Sequence, residues 1–280
     1  MYLRVKKDSV TSILLFIFNV FLVERRIYSV PLKKIFRLLE PFHRSETSIR
    51  MGLSRGLQNG LFINERQEQE VFYRLTDEAV ISFNYWQKTI NRYMDKIKIQ
   101  QANWNRSWSI ILGNQHFTQK GVGNIEQFNA SLVELGYGSL NKGHWISPYD
   151  ESSEVIKLAD SNSFRENILI FYGTLRDKSP NSLATEVWPI NELAIKYKKY
   201  AFEMQESAYK LNSKLDPEHV LTFLYLYGSE LFDIIQDDPQ LPLEILPNEW
   251  PGLKAARDFW EIRQRVLPQA NSFIDIIINE

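Results

Sequence analysis

The sequence predicts an α+β protein of three parts: three helices closed by a β-hairpin, a β-α-β-β-α-β middle, and a helical C-terminal part. Three observations predict it. Apolar residues recur at helical spacing up to Gln58, then give way to two short strand-like runs. The middle alternates short apolar runs with a hairpin signal, "NKG". From Trp188 onward the pattern is that of long amphipathic helices. A length of 280 residues is long for one core, and 44% hydrophobic with 24% charged residues is an ordinary globular composition.

The first element is the apolar run "SILLFIFNVFLV", Ser12 to Val23. It is short of the roughly 20 residues that span a bilayer. The following "ERRIYSV" offers no small-residue cleavage site. The run therefore reads as a buried helix capped by Asp8 or Ser9. Ser29 reads as the N-cap of the next helix, with Pro31 in its first turn. Leu32, Ile35, Phe36 and Leu39 follow at helical spacing, and Pro41 ends it.

The third helix, Ser45 to Gly60, reads "SETSIRMGLSRGLQNG". Each interior glycine should cost about 1 kcal/mol relative to alanine. Advancing 100° per residue from Ile49 puts Gly52 and Gly56 among Ile49, Leu53 and Leu57. A side without side chains lets a neighbouring helix approach closely. The opposite side carries Thr47, Met51, Ser54, Arg55 and Gln58, with Arg50 on the flank. Arg and Gln reach base edges and Ser and Thr reach phosphate, so this side suits a DNA major groove.

Leu61–Asn64 and Val71–Leu75 read as two strands joined by a polar turn. Three helices followed by a hairpin is the order of a winged helix-turn-helix, here residues 1–76. Arg66 and Arg74 are the wing's candidates for DNA contact. Its tip, "ERQEQE", carries three glutamates, so it should repel phosphate and add little affinity. Residues 1–100 hold 17 Lys+Arg against 10 Asp+Glu, a net of +7, while the remainder carries −8. A basic N-terminal third suggests an anionic partner.

Residues 77–101 read as a linker helix with Ile81, Tyr85, Ile90, Tyr93 and Ile97 on one side, suited to packing on its own chain or on a second copy. In residues 102–180, Trp108–Leu112, "GYGSL", "HWISP" and "NILIFYGTL" read as strands. Asn124–Leu135 and "ESSEVIKLAD" read as helices. That order is the ferredoxin-like split βαβ pattern. In residues 181–280, two long helices precede a proline-punctuated connection and one or two closing helices.

Signals for catalysis are poor. The chain has no cysteine, which removes disulfides, thiolate ligands and cysteine nucleophiles and fits a cytoplasmic protein. Its four histidines lack metal-ligand spacing. No phosphate-binding loop, nucleophile elbow or HExxH is present. "GVGNIE" at Gly121 reads as a turn, and Asp237 with Asp238 as a solvated turn before Pro239. No enzyme, metal or cofactor is expected.

The chain resembles the PaaX family, bacterial repressors of phenylacetate degradation. "LLEPF", "IRMGLSRGLQNGLF" and "FYRLT" carry the resemblance in the first part. "WNRSW", "LGYGSLNKGHWISP" and "FYGTL" carry it in the middle, and "VWPINELAIKYKKY" with "DDPQLPLEILPNEWPGLKAARDFW" at the end. The resemblance implies a winged-helix domain, a ferredoxin-like middle domain similar to the Cas2 fold, and a helical C-terminal domain. It also implies dimeric binding to double-stranded DNA, with repression relieved by an aryl-CoA thioester such as phenylacetyl-CoA. Arg50, Ser54 and Arg55 match the family's recognition-helix positions. Three departures stand out. "IRMGL" replaces the family's usual "VRTSV", the wing is Glu-rich where the family's is Arg-rich, and Phe232, Asp233 and Asp237 stand where basic residues are usual.

The sequence thus points to a dimeric transcriptional regulator, expected to repress a catabolic operon through a palindromic operator, with no membrane association. An effector pocket is expected between the middle and C-terminal parts, near Trp108, Trp145, Trp188 and Trp260. The rival readings are a metal-dependent nuclease built on the middle domain, and a winged helix that contacts protein. "WSIILGNQHF" lacks the acidic residue a nuclease would want after its first strand.

Overall fold

The structure is a computed structural model. It describes residues 9–81, 93, 104–114, 117, 124–213 and 216–280. Most of the expected linker helix and the expected turn at Gly121 lie outside these residues. The protein is α+β with two antiparallel sheets. It divides into two compact units: residues 1–92, 198–233 and 254–280 form one, and 93–197 with 234–253 the other.

The first unit begins with α1 (Val10–Ile17), where the Ser9 hydroxyl accepts from Ser12 N at 3.1 Å. This cap satisfies one of the free N–H groups of the first turn. The chain continues as a π-helical segment, Phe18–Val23. Ile13, Leu14, Ile17, Phe18, Phe21 and Leu22 are all buried, which explains the apolar run, and Asn19 within it is buried as well. Then come β1 (Ser29–Pro31), α2 (Leu32–Leu39), a 3₁₀ turn (Glu40–Phe42) and α3 (Glu46–Gln58). The hairpin β2 (Phe62–Gln67) and β3 (Glu70–Leu75) closes the order, and the sheet runs β1-β3-β2.

One expectation fails here. Ser29 does not cap α2; it is paired with Arg74 in β1, and Pro31 occupies the N-cap without a side-chain bond. The outer edge of β3 supplies hydrogen-bond partners for Ser29–Pro31, and a proline is tolerated on such an edge strand.

The C-terminal helices of this unit hold the N-terminal ones. The hydroxyls of Tyr225 and Ser12 lie 2.6 Å apart, and the Tyr225 ring meets Phe16 and Phe42 edge-on. Lys34 donates to Ile278 O at 2.5 Å, and Arg37 pairs with Glu280. Both cations thereby meet the negative end of a helix, a favourable placement.

The second unit contains β4 (Trp108–Gly113), α4 (Ile125–Glu134), β5 (Gly138–Asn141), β6 (His144–Ser147), α5 (Ser152–Ser161) and β7 (Ile168–Gly173). Every strand expected from the sequence is present. The sheet order is β5-β6-β4-β7, antiparallel throughout. Ile111, Trp145, Ile168, Phe128, Leu132, Val155 and Phe164 form its core. After α6 (Pro180–Val187) come three long helices, each divided between the two units and mostly in the first: α7 (Ile190–Ser213), α8 (Pro217–Asp237) and α9 (Pro251–Asn279). The expected one or two closing helices are a single helix with Pro268 inside it.

Candidate nucleic-acid interface

The geometry of α3 explains its composition. Its N-cap Ser45 accepts from Ser48 N at 3.2 Å. It ends with Gly60 N bonded to Leu57 O at 3.1 Å and Leu61 N to Gly56 O at 2.8 Å. With Gly60 at φ +66°, this is a Schellman stop, which needs a left-handed residue. The inner side is buried at Ile49, Gly52, Leu53 and Gly56.

The two interior glycines have different partners. A Cβ on Gly52 would lie 2.5 Å from Val10 Cγ1, and one on Gly56 would lie 2.5 Å from Phe62 Cδ2. Gly52 therefore admits helix α1, as its position on the wheel predicts. Gly56 admits the first residue of the hairpin, not a helix. Thr11 Oγ1 also donates to Gly52 O at 3.2 Å within this contact.

Thr47, Arg50, Met51, Ser54, Arg55 and Gln58 are all exposed. The structure brings these six together on the outward side of one helix. Met51 points its thioether into solvent at 49% exposure. Arg50 is seated: its guanidinium lies 4.9 Å from the centre of the Phe36 ring of α2 and 3.8 Å from Glu46. A cation over a ring face is worth about 0.5–1 kcal/mol at an exposed site. Phe36 thus orients Arg50, a role the sequence left hidden because it joins two helices 14 residues apart.

The hairpin separates the two wing arginines. Residues directly paired across strands share a face. Phe62 pairs with Leu75, Asn64 with Tyr73 and Arg66 with Val71, so Arg66 shares the face whose base packs on α3. Arg74 pairs with Ile63 and projects from the opposite face. There it lines a recess of about 320 Å³ with Phe18, Tyr28, Asp77 and Val80. Glu65, Glu68 and Glu70 are exposed along the hairpin, and Glu68 at the tip adopts φ +52°.

Of the four tryptophans, Trp108, Trp145 and Trp188 are buried in the second unit, and Trp260 is half-buried in the first. Trp108 and Trp188 stack at 6.5 Å between centres, and Trp104 meets Trp108 edge-on at 5.0 Å. Gly138 makes room for Trp188: a Cβ there would lie 2.6 Å from Trp188 Cε2. Trp145 is in the core under the sheet with its indole N–H lacking an acceptor among the described residues. Trp260 belongs to the other unit and carries Arg263 over its ring at 5.0 Å.

Asp238 corrects a further expectation. It is not solvated but buried, accepting from Tyr197 Oη at 2.7 Å and from Gln240 N at 2.6 Å. Pro239 ends α8, and Asp238 turns inward to cap the bend. Asp237 alone is exposed, paired with Lys196 at 2.9 Å. Burial pushes the phenols of Tyr93, Tyr149, Tyr197 and Tyr200 well up, and that of Tyr137 to about 12. Among the described residues, no cluster of three or more His, Cys, Asp or Glu could hold a metal ion, and no helix is long and apolar enough to cross a membrane.

Comparison with known proteins covers almost the whole chain. Residues 11–79 match the family model "PaaX-like protein", residues 101–184 the "PaaX protein central Cas2-like domain", and residues 188–276 the "PaaX-like protein C-terminal domain". Over 245 residues the chain is 23% identical to the transcriptional repressor PaaX of Escherichia coli K12, spanning 85% of this chain and 74% of that protein. The uncharacterized protein Rv0674 of Mycobacterium tuberculosis has the same fold, with a TM-score of 0.54 at 17% identity, covering 94% of this chain and 99% of that one.

Proposed function

The chain belongs to the PaaX family, and on that premise we propose that it is a DNA-binding transcriptional repressor whose α3 reads the operator. One observation carries the reading. α3 is seated by two glycines on its inner side while Thr47, Arg50, Met51, Ser54, Arg55 and Gln58 all face outward. The α1-β1-α2-α3-β2-β3 order with sheet order β1-β3-β2 supports a winged helix-turn-helix. The order β5-β6-β4-β7 supports a ferredoxin-like middle domain.

In this reading residues 1–76 bind DNA, 77–101 link, 102–180 form the middle domain and 181–280 the C-terminal domain. Arg50, Arg55 and Gln58 contact base edges. Thr47 and Ser54 contact phosphate, and Met51 packs on base edges. Arg66 reaches the backbone from the wing face shared with α3. Arg74 contacts DNA least, because it projects from the other face. The protein acts in the cytoplasm as a homodimer on a palindromic operator and is not an enzyme. Its effector is an aryl- or acyl-CoA thioester, phenylacetyl-CoA being the first to test. An aryl group that disturbs the Trp104–Trp108–Trp188 cluster would change tryptophan emission.

Selection of binding sites from a random DNA pool tests the reading. The expected product is a palindrome with half-sites one helical turn or a multiple apart. Failure to enrich any sequence would overturn it. Adding phenylacetyl-CoA to the selected complex should release the DNA, and a thermal shift on the free protein reports the same ligand. At 100 times its Kd a bound effector stabilises by about 2.7 kcal/mol.

A further inference from the structure

Helix α7 carries two apolar stripes. One is buried in its own chain: Leu193, Tyr197, Tyr200, Met204, Ala208 and Leu211. The other faces out: Ile195 at 68%, Phe202 at 67% and Tyr209 at 78% exposure. A surface helix normally has one apolar stripe, facing its own core. The outward three recur at seven-residue intervals along one continuous helix, the spacing that keeps a seam facing a partner helix.

The charges beside this seam reverse about its centre. Lys198 and Lys199 lie one turn before Phe202, and Glu206 one turn after. Two copies in parallel would set Lys199 and Glu206 against the partner's Ala194 and Ala201, leaving neither charge an opposite one. Two antiparallel copies, with the twofold axis at Phe202, set Lys199 against the partner's Glu206 and Ile195 against the partner's Tyr209. Both ion pairs then form at once, as a self-complementary interface requires. Lys199 now lies 3.8 Å from Glu203 on its own helix, an exposed pair of little worth that it can exchange.

We propose that the outward stripe Ile195–Phe202–Tyr209 is the contact through which two copies of this chain pair, α7 antiparallel to α7. The proposal rests on the dimeric reading above and names the surface that serves it. Taking about 150–250 Å² for a large side chain, two-thirds exposed here, the stripe offers roughly 400 Å² per copy. The pair thus buries about 800 Å², below the usual size of a stable interface. The free dimer is therefore weak, and holding both half-sites of a palindrome strengthens it through effective concentration.

The absence of cysteine makes the test clean. In the full chain, Phe202→Cys should form a disulfide-linked dimer under mild oxidation. Ile195→Cys should not, because antiparallel pairing holds the two copies of residue 195 roughly 21 Å apart. Equal cross-linking at both positions, or none at Phe202, overturns the antiparallel pairing. In sedimentation velocity, Phe202→Glu should be monomeric where the wild type associates, with an unchanged melting temperature because the side chain is exposed. Lys199→Glu and Glu206→Lys should each weaken dimerisation several-fold, and the double exchange should restore it. Wild type that stays monomeric both free and on a palindrome overturns the proposal. Half-site binding separates the two readings: Phe202→Glu keeps it if α3 reads DNA, and its loss in the wild type sinks the α3 reading alone.

Discussion

Replacing Gly52 by alanine sets two physical effects against each other. Helix propensity alone predicts a gain of about 1 kcal/mol in an interior position. The packing predicts the opposite. The new Cβ would lie 2.5 Å from Val10 Cγ1 and 2.7 Å from Val10 Cβ, where ordinary contact starts at 3.4 Å. Val10 is β-branched and stiff, and its Cβ cannot be rotated away, so α1 itself must move. Overpacking of this kind costs about 1–3 kcal/mol. Displacing α1 also stretches the Thr11–Gly52 hydrogen bond, worth about 1 kcal/mol. The net expectation is a loss of about 1–3 kcal/mol, seen by circular dichroism at 222 nm as a melting temperature lower by roughly 3–8 °C. Relief should be graded. The cost of Gly52→Ala should shrink in a Val10→Ala background, which removes Cγ1, and shrink further in Val10→Gly, which removes Cβ too. A Gly52→Ala protein as stable as wild type or more so would refute the close-approach explanation.

Two further predictions follow from the wing and the buried phenols. Changing Glu68 and Glu70 to Gln should leave operator affinity and its salt dependence nearly unchanged; a large gain would mean the tip lies against phosphate. Alkaline titration followed at 295 nm should show Tyr93, Tyr137, Tyr149, Tyr197 and Tyr200 lagging, because burial raises their pKa values. Below pH 10 both folded and unfolded chains keep these phenols protonated. Above it the unfolded chain releases protons that the folded one retains, so stability falls by about 1.4 kcal/mol per pH unit for each such group. For Tyr137 that window runs from pH 10 to about 12. A single smooth titration of all 13 tyrosines would contradict this burial.

The sequence made the repeating elements legible because periodicity is local. Ile49, Gly52, Leu53 and Gly56 fall on one side of a wheel whatever they pack against, so the inner and outer sides of α3 could be told apart. The strands β4 to β7 were equally legible from short apolar runs around "NKG". Features made by distant partners were not. Ser29–Pro31 is a strand only because β3 offers it an edge, and its own residues resemble a helix cap. Nothing near Gly56 announces that Phe62 will fill its place. Phe36 orienting Arg50 and Tyr197 binding Asp238 likewise join residues 14 and 41 apart. Alternation within the hairpin separated Arg66 from Arg74 once the register was known, and register depends on the turn.

The most direct measurement is operator affinity for the single variants Arg50→Ala, Arg55→Ala and Arg74→Ala, each compared on operator and on unrelated DNA. Arg50→Ala and Arg55→Ala should lose about 1–3 kcal/mol on the operator, a drop of roughly 5- to 150-fold, with far less change on unrelated DNA. Arg74→Ala should change either affinity least. Unchanged operator binding in both α3 variants would contradict the assignment of this helix as the reader of DNA.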